Sequence, residues 1–133
     1  MIKKYKQYNE SKSKDLEIST EKFTIYKNKN EFKLFVDDIL VSSCGFEIEK
    51  PDKWFGEKYV ILHDMKTIEK FQGKGFGKYI LNKIFDYVKN ELELNIISLI
   101  VYKDNENAVN LYFKCGFEIF MEYDDSYSLI KKL

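Results

Sequence analysis

Gln72-Gly-Lys-Gly-Phe-Gly-Lys78 is the stretch on which the fold turns. Glycines at 73, 75 and 77 let the backbone fold tightly and point successive N–H groups outward. Just before it, Tyr59-Val-Ile-Leu-His-Asp-Met65 is rich in apolar residues that do not alternate cleanly, which predicts a strand covered on both faces. Just after it the period changes. Phe76, Ile80, Ile84 and Val88 recur every four residues, and Tyr79, Leu81 and Phe85 widen the stripe. That spacing predicts an amphipathic helix of about fifteen residues. A helix starting among glycines adds its own unpaired amides and the positive end of its dipole, so the junction suits a phosphate or pyrophosphate. Two other phosphate loops do not fit. A P-loop needs four residues between Gly and Gly-Lys-Ser/Thr, whereas Gly73 and Gly77 enclose three and Tyr79 follows the lysine. The dinucleotide fingerprint needs Gly-x-Gly-x-x-Gly, whereas this is Gly-x-Gly-x-Gly, with no acidic residue about twenty positions on in a suitable strand. Taken alone, a glycine-rich turn of this kind is as often structural as functional.

Moving outward, Ile96-Ile-Ser-Leu-Ile-Val-Tyr102 predicts a second buried strand, and a strand–helix–strand order implies a parallel pair. Asp104 or Asn105 can cap a second helix whose inward face would be Ala108, Leu111 and Tyr112, stopping at Gly116. Phe117–Tyr123 and Tyr127–Ile130 close the chain as a hairpin turning at Asp124-Asp125. On the other side, Phe23–Tyr26, Phe32–Val36 and Ile39–Ile48 read as an antiparallel meander with turn signals at Asn28–Asn30 and Asp37-Asp38. Residues 1–14 are polar and are expected to be loosely ordered, leaving 15–133 as a single domain. The class expected is α/β (α+β), with two main helices.

Composition narrows the functions. The 133 residues are 44% hydrophobic and 33% charged, with 11 Phe, 10 Tyr and one Trp, as in an ordinary globular domain with a bulky core. The 22 basic residues, all Lys, balance 22 acidic ones, which disfavours a nucleic-acid binder. No apolar run approaches the length of about 18 that a membrane span needs, and the N-terminus has no apolar core of a secretory signal. Two cysteines and a single histidine do not make a zinc site. Cys44 and Cys115 read as small buried residues rather than nucleophiles. A cytoplasmic, metal-free domain is expected.

Gln72-x-x-Gly75-x-Gly77 between a strand and a helix resembles the acetyl-CoA pyrophosphate loop of the GNAT superfamily of N-acetyltransferases. Farther on, Asn105, Ala108, Leu111-Tyr112 and Gly116-Phe117 resemble the same family's second signature. The two stand in the right order with a strand between them, and the resemblance runs from about Tyr59 to Phe120. Before Pro51 the family's usual pair of helices is missing or replaced by strands. The resemblance implies a mixed, largely antiparallel sheet whose central parallel strands splay around the cofactor slot. It also implies acetyl transfer from acetyl-CoA to a primary amine of a small molecule or peptide, by direct attack in a ternary complex.

Site residues are assigned from the family register. Gln72, Gly73, Lys74, Gly75, Phe76, Gly77 and Lys78 would hold the pyrophosphate, and Met65, Lys66 and Thr67 the pantetheine arm, with a backbone N–H there, Met65's first, facing the oxyanion. Asn105 would be both helix cap and cofactor contact. Tyr112 matches the family's acid, which protonates the leaving thiolate. Some members carry a Glu where this chain has Ile100. Others carry Glu-Asp-apolar where it has His63-Asp64-Met65, which makes His63 the first candidate base, Asp64 the second and water the third. Acidic residues at Asp37-Asp38, Glu122, Asp124 and Asp125 could attract a cationic acceptor, although such clusters are commonly solvated turns. The alternative is a CoA-binding regulatory or inhibitory module with reduced catalysis. Sheet edges and hairpins of this kind also support a homodimer.

Overall fold

The computed structural model describes residues 3–9 and 22–133, and the chain divides into two compact units. The first comprises Met1–Gly45 and Asp64–Leu81, the second Phe46–His63 and Asn82–Leu133.

In the first unit, β1 (Lys3–Asn9), β2 (Lys22–Lys27), β3 (Glu31–Val36) and β4 (Ile39–Glu49) pair antiparallel in chain order, with β5 (Tyr59–Thr67) next to β4. The expected meander is therefore present. It is longer by β1, which falls in the segment expected to be loosely ordered; main-chain pairing along β2 gives Lys3–Asn9 partners that its polar composition does not advertise. Residues 10–14, and the start of the expected domain at 15–21, lie outside the described residues. In β3, Phe32, Leu34 and Val36 are buried and alternate with half-exposed residues, the pattern of a strand with one face on the core. Asp37 and Asp38 both have positive φ (48° and 68°) between the paired Val36 and Ile39, so they form a two-residue hairpin turn of the kind that matches strand twist. The core of this unit is Phe23, Ile25, Phe32, Leu34, Val41 and the first turns of α1 (Phe76–Asn90), where Phe76, Ile80 and Leu81 are buried. Each such side chain contributes about 1.5–3 kcal/mol by leaving water.

In the second unit the strand order is β5-β6-β8-β7, with β6 at Ile96–Tyr102, β7 at Glu118–Glu122 and β8 at Ser126–Lys132. β5 and β6 run parallel, and the other pairs are antiparallel, which is the expected mixed sheet with a parallel pair. Among the described residues the parallel register covers Val60↔Ile97 and Ile61↔Ser98, although β5 continues to Thr67 and β6 to Tyr102. β6 pairs β8 along its whole length. Ile84, Phe85 and Val88 of α1, Leu99 and Val101 of β6, Leu129 of β8, and Val109 and Tyr112 of α2 (Glu106–Lys114) are all buried. Val109 takes the inward place expected of Ala108, which is half-buried along with Leu111. α2 ends as expected: Gly116 has φ 93°, its N–H donates to the Phe113 carbonyl and that of Phe117 to the Tyr112 carbonyl, a closure that favours glycine. No described helix is long and apolar enough to cross a membrane.

Candidate functional site

The site begins with β5. Tyr59, Val60 and Leu62 are buried, as a strand covered on both faces requires, but His63 and Asp64 are consecutive exposed residues. The cause is local: Asp64 has φ 52°, a left-handed conformation that breaks the pleat and re-aims Met65, Lys66 and Thr67. The sequence pattern gave no sign of this break.

Beyond it, in the first unit, the main chain is pinned. The Ser42 hydroxyl of β4 donates to the Lys66 carbonyl at 2.8 Å and lies 3.1 Å from the Thr67 hydroxyl. The Ile68 N–H donates to the Val41 carbonyl at 2.9 Å. In a trans peptide the C=O and N–H point opposite ways. With the Lys66 carbonyl and Ile68 N–H both turned to β4, the N–H and carbonyl of Thr67 turn to the other edge. By alternation Met65 shares that direction and Lys66 does not. The Gln72 side-chain amide then donates to the Thr67 carbonyl at 2.9 Å, closing a short loop that contains a 3₁₀ turn at Glu69–Phe71.

Gly73 (φ 76°) and Gly75 (φ 91°) come next, both in the region that favours glycine. α1 starts at Phe76, with the Tyr79 N–H donating to the Gly75 carbonyl at 3.0 Å. Gly75 therefore sits at the cap position, where it has no side chain to bond the first amides. The first turn holds no acidic residue; Lys78 lies in it and Lys74 just before it. Phe76 is 1% exposed, its ring 5.8 Å from that of Phe23 and 5.6 Å from that of Phe71, so only its main chain is available to a ligand. The first unit thus brings together Met65, Lys66, Thr67 and the Gln72–Lys78 loop.

Of the remaining predicted residues, Asp37, Asp38 and Asp64 belong to the first unit and the others to the second. Asn105 caps α2, its side-chain oxygen accepting from the Ala108 N–H at 3.3 Å, which decides between the two expected caps. Tyr112 is 7% exposed, and its ring stands 5.5 Å from that of Phe117 in an edge-on contact. His63 is exposed, and Ile100 is 68% exposed on β6 between the buried Leu99 and Val101. Of the acidic residues expected to draw a cationic acceptor, Glu122 is paired with Lys103 at 2.7 Å, and its carboxylate holds the lysine above its ordinary pKa. Asp125 lines an open hollow with Tyr102, Lys103 and Asp104. Asp37 and Asp38 are committed to the hairpin turn between β3 and β4.

Two polar devices were not singled out from the sequence. One is Ser42, whose signal is a serine between the apolar Leu40-Val41 and Cys44–Phe46 of β4. The other is Asp52, which accepts from the N–H groups of Trp54 and Phe55 and from the Tyr59 hydroxyl at 2.6 Å. Those hydrogen bonds, Tyr59's first, hold the Asp52 carboxyl below its ordinary pKa. The same bond, aided by burial, pushes the Tyr59 phenol up to about 12. The Pro51-Asp52 turn signal was the available clue. Cys44 and Cys115 are buried thiols. Among the described residues no group of three or more His, Cys, Asp and Glu side chains could hold a metal ion.

Comparison with known proteins supplies the context. Acetyltransferase PseH of Campylobacter jejuni is 36% identical over 59 residues, which are 44% of this chain and 38% of that protein. Spermidine N(1)-acetyltransferase of Vibrio cholerae is 46% identical over 46 residues, 35% of this chain and 27% of that one. The matched stretches therefore span well under half of either curated relative. Among solved structures, Arabidopsis thaliana Naa50, in complex with the bisubstrate analogue CoA-Ac-MVNAL, superposes with a TM-score of 0.63 at 26% identity, covering 77% of this chain and 72% of that one. A family model described as the acetyltransferase (GNAT) family matches residues 3–117, far more of the sequence than the two signatures occupy, and the chain belongs to that family.

Proposed function

We propose that this chain transfers the acetyl group of acetyl-CoA to a primary amine of a small molecule or peptide, by direct attack in a ternary complex. The observation that carries the reading is the Gly73–Lys78 junction. Two left-handed glycines lead into a helix whose cap residue is a glycine and whose first turn holds Lys78 and no acidic residue, with Lys74 just before it. Amides so arranged favour a diphosphate. The names of the relatives fit acceptors of both kinds, spermidine in one and a peptide-bearing analogue in another.

The roles divide by unit. In the first, the 73–78 main chain with Lys74 and Lys78 holds the pyrophosphate, and the outward main chain of Met65 and Thr67 receives the pantetheine arm as an added strand would. The Met65 N–H faces the oxyanion that forms when the amine attacks the thioester carbonyl; a fixed donor there contributes about 3 kcal/mol. In the second, His63 takes a proton from the ammonium so that the neutral amine attacks; Asp64, which belongs to the first unit, or water is the other acceptor. As the C–S bond breaks, Tyr112 protonates the departing thiolate, and the excess proton left on the acylated nitrogen passes to the resulting phenolate, directly or through water. Asn105 caps α2 and contacts the cofactor with the amide nitrogen its cap bond leaves over. The two buried thiols fit a reducing, cytoplasmic setting.

A second reading, a CoA-binding module with reduced catalysis, is favoured by two observations: an isoleucine stands where some relatives carry a glutamate, and the Tyr112 ring is packed away from water. One experiment separates them. Labelled acetyl-CoA is incubated with polyamines, aminoglycosides, amino acids and peptides, alongside a calorimetric titration with CoA. Turnover on any amine supports the enzyme, binding without turnover supports the module, and absence of both refutes the site.

A further inference from the structure

We infer that Ser42 is a positioning residue for the cofactor: its buried hydroxyl fixes the peptide plane between Lys66 and Thr67 so that the Thr67 N–H is presented as a donor to the pantetheine arm. The inference rests on the proposed acetyl-CoA site and goes beyond it by assigning a residue from a different strand and from neither motif.

Ser42 is 2% exposed on β4, flanked by the buried Val41 and near the buried Cys44. Packing alone would accept a small apolar residue there. A buried hydroxyl costs free energy unless it is bonded, so what it bonds to matters. Its single proton goes to the Lys66 carbonyl at 2.8 Å. The 3.1 Å contact with the Thr67 hydroxyl must then be donated by Thr67. Holding the Lys66 carbonyl towards β4 forces the Thr67 N–H the opposite way, because both belong to one trans peptide. On the next peptide the Ile68 N–H is held by the Val41 carbonyl, which turns the Thr67 carbonyl out to Gln72. Gln72 thereby occupies the acceptor at this position and leaves the donor for a ligand. Without the serine, the Lys66–Thr67 peptide can rotate, and the outward donor is lost.

The test separates the two ends of the cofactor. Affinity for CoA, which has both pyrophosphate and pantetheine, is compared by calorimetry with affinity for ADP, which has the pyrophosphate alone. Ser42→Ala is expected to weaken CoA about tenfold and to leave ADP unchanged. Ser42→Thr, which retains the hydroxyl, is expected to restore the wild-type ratio. Should the alanine variant fold poorly, Ser42→Cys, close in volume and a weak donor, reads the same ratio. Equal weakening of both ligands means a general structural role and overturns the inference, as does no change in either. A wild-type protein that binds no CoA overturns the cofactor site itself, a different and earlier failure.

Discussion

Replacing Gly73 by alanine tests the phosphate loop at its most exposed point. The φ of 76° is the whole difficulty, because a Cβ built there meets no heavy atom within 4 Å. Holding an alanine left-handed costs about 1–2 kcal/mol. Alanine also restricts the unfolded chain, which offsets about 0.4–1 kcal/mol of that. The net loss of stability is roughly 1 kcal/mol, or about 3–5 °C in the melting midpoint for a chain of this size. Binding should suffer more than stability. To relieve the strain the loop must turn the peptides around residue 73, and an amide that bonded a charged phosphate oxygen contributes about 1.5–3 kcal/mol. The affinity for CoA should therefore fall by about one to two orders of magnitude. Gly73→Asn should lose less, since asparagine tolerates the left-handed region better. Gly77 is not among the glycines of positive φ and lies inside the first turn of α1, so Gly77→Ala should leave the midpoint unchanged or raise it. Thermal melts and CoA calorimetry on the three variants read all of this. A Gly73→Ala protein with wild-type midpoint and wild-type affinity refutes the reasoning.

The strained Asp64 should behave in the same way: Asp64→Gly is expected to raise the melting midpoint and Asp64→Val to lower it, the latter through a loss of stability of about 1–2 kcal/mol, and the reverse order would contradict a left-handed residue there. Tyr112→Phe is expected to lower turnover by about a hundredfold or more while CoA affinity stays within twofold, and unchanged turnover removes the assigned acid. His63→Ala should lower the rate and be partly rescued by added imidazole; a full rate without rescue passes the base role to Asp64 or water. For the Asp52–Tyr59 bond the sign is fixed by the two shifts. Tyr59 rises from 10.0 to about 12 on folding, so its contribution is complete below pH 10 and drains away as pH climbs through about 12. Asp52 is lowered from 3.8, so its contribution is present above that value and is lost on acidification. NMR titration of labelled tyrosines should find one late phenol that moves back towards 10 in Asp52→Asn, and a resonance that does not move excludes the bond.

What the sequence disclosed and what it hid divide along the range of the forces involved. The α1 stripe, the α2 cap to within Asp104 or Asn105, the Gly116 stop and the Asp37-Asp38 turn are each decided within a few residues, and each was legible. Both halves of the family signature are short segments of the same kind. β1 was not legible, because Lys3–Asn9 has little apolar character and owes its strand to pairing with β2. The inward place falls to Val109 and not to Ala108, which is half-buried about 100° away round the helix, and a helix of nine residues offers too few turns to fix its apolar face to within one position. Ser42 lies 24 residues from Lys66, and no local pattern links a serine to a carbonyl that far along the chain. The break at Asp64 was hidden for another reason: aspartate is a common strand-end residue, and only its φ shows that the pleat fails there.

That break explains why one strand can serve two purposes. Up to Leu62, β5 is an ordinary buried strand whose parallel register with β6 fixes Val60 and Ile61. A left-handed residue at 64 interrupts the alternation, and in the first unit the segment after it is pinned from one side by the Val41 carbonyl and the Ser42 hydroxyl. Pinning from one side is what leaves the other edge directional, because every peptide whose C=O or N–H is held by β4 must aim its opposite group away from it. The left-handed Asp64 and the buried serine thus act on the same stretch of the first unit, the first interrupting the alternation of β5 and the second holding the main chain after it towards β4.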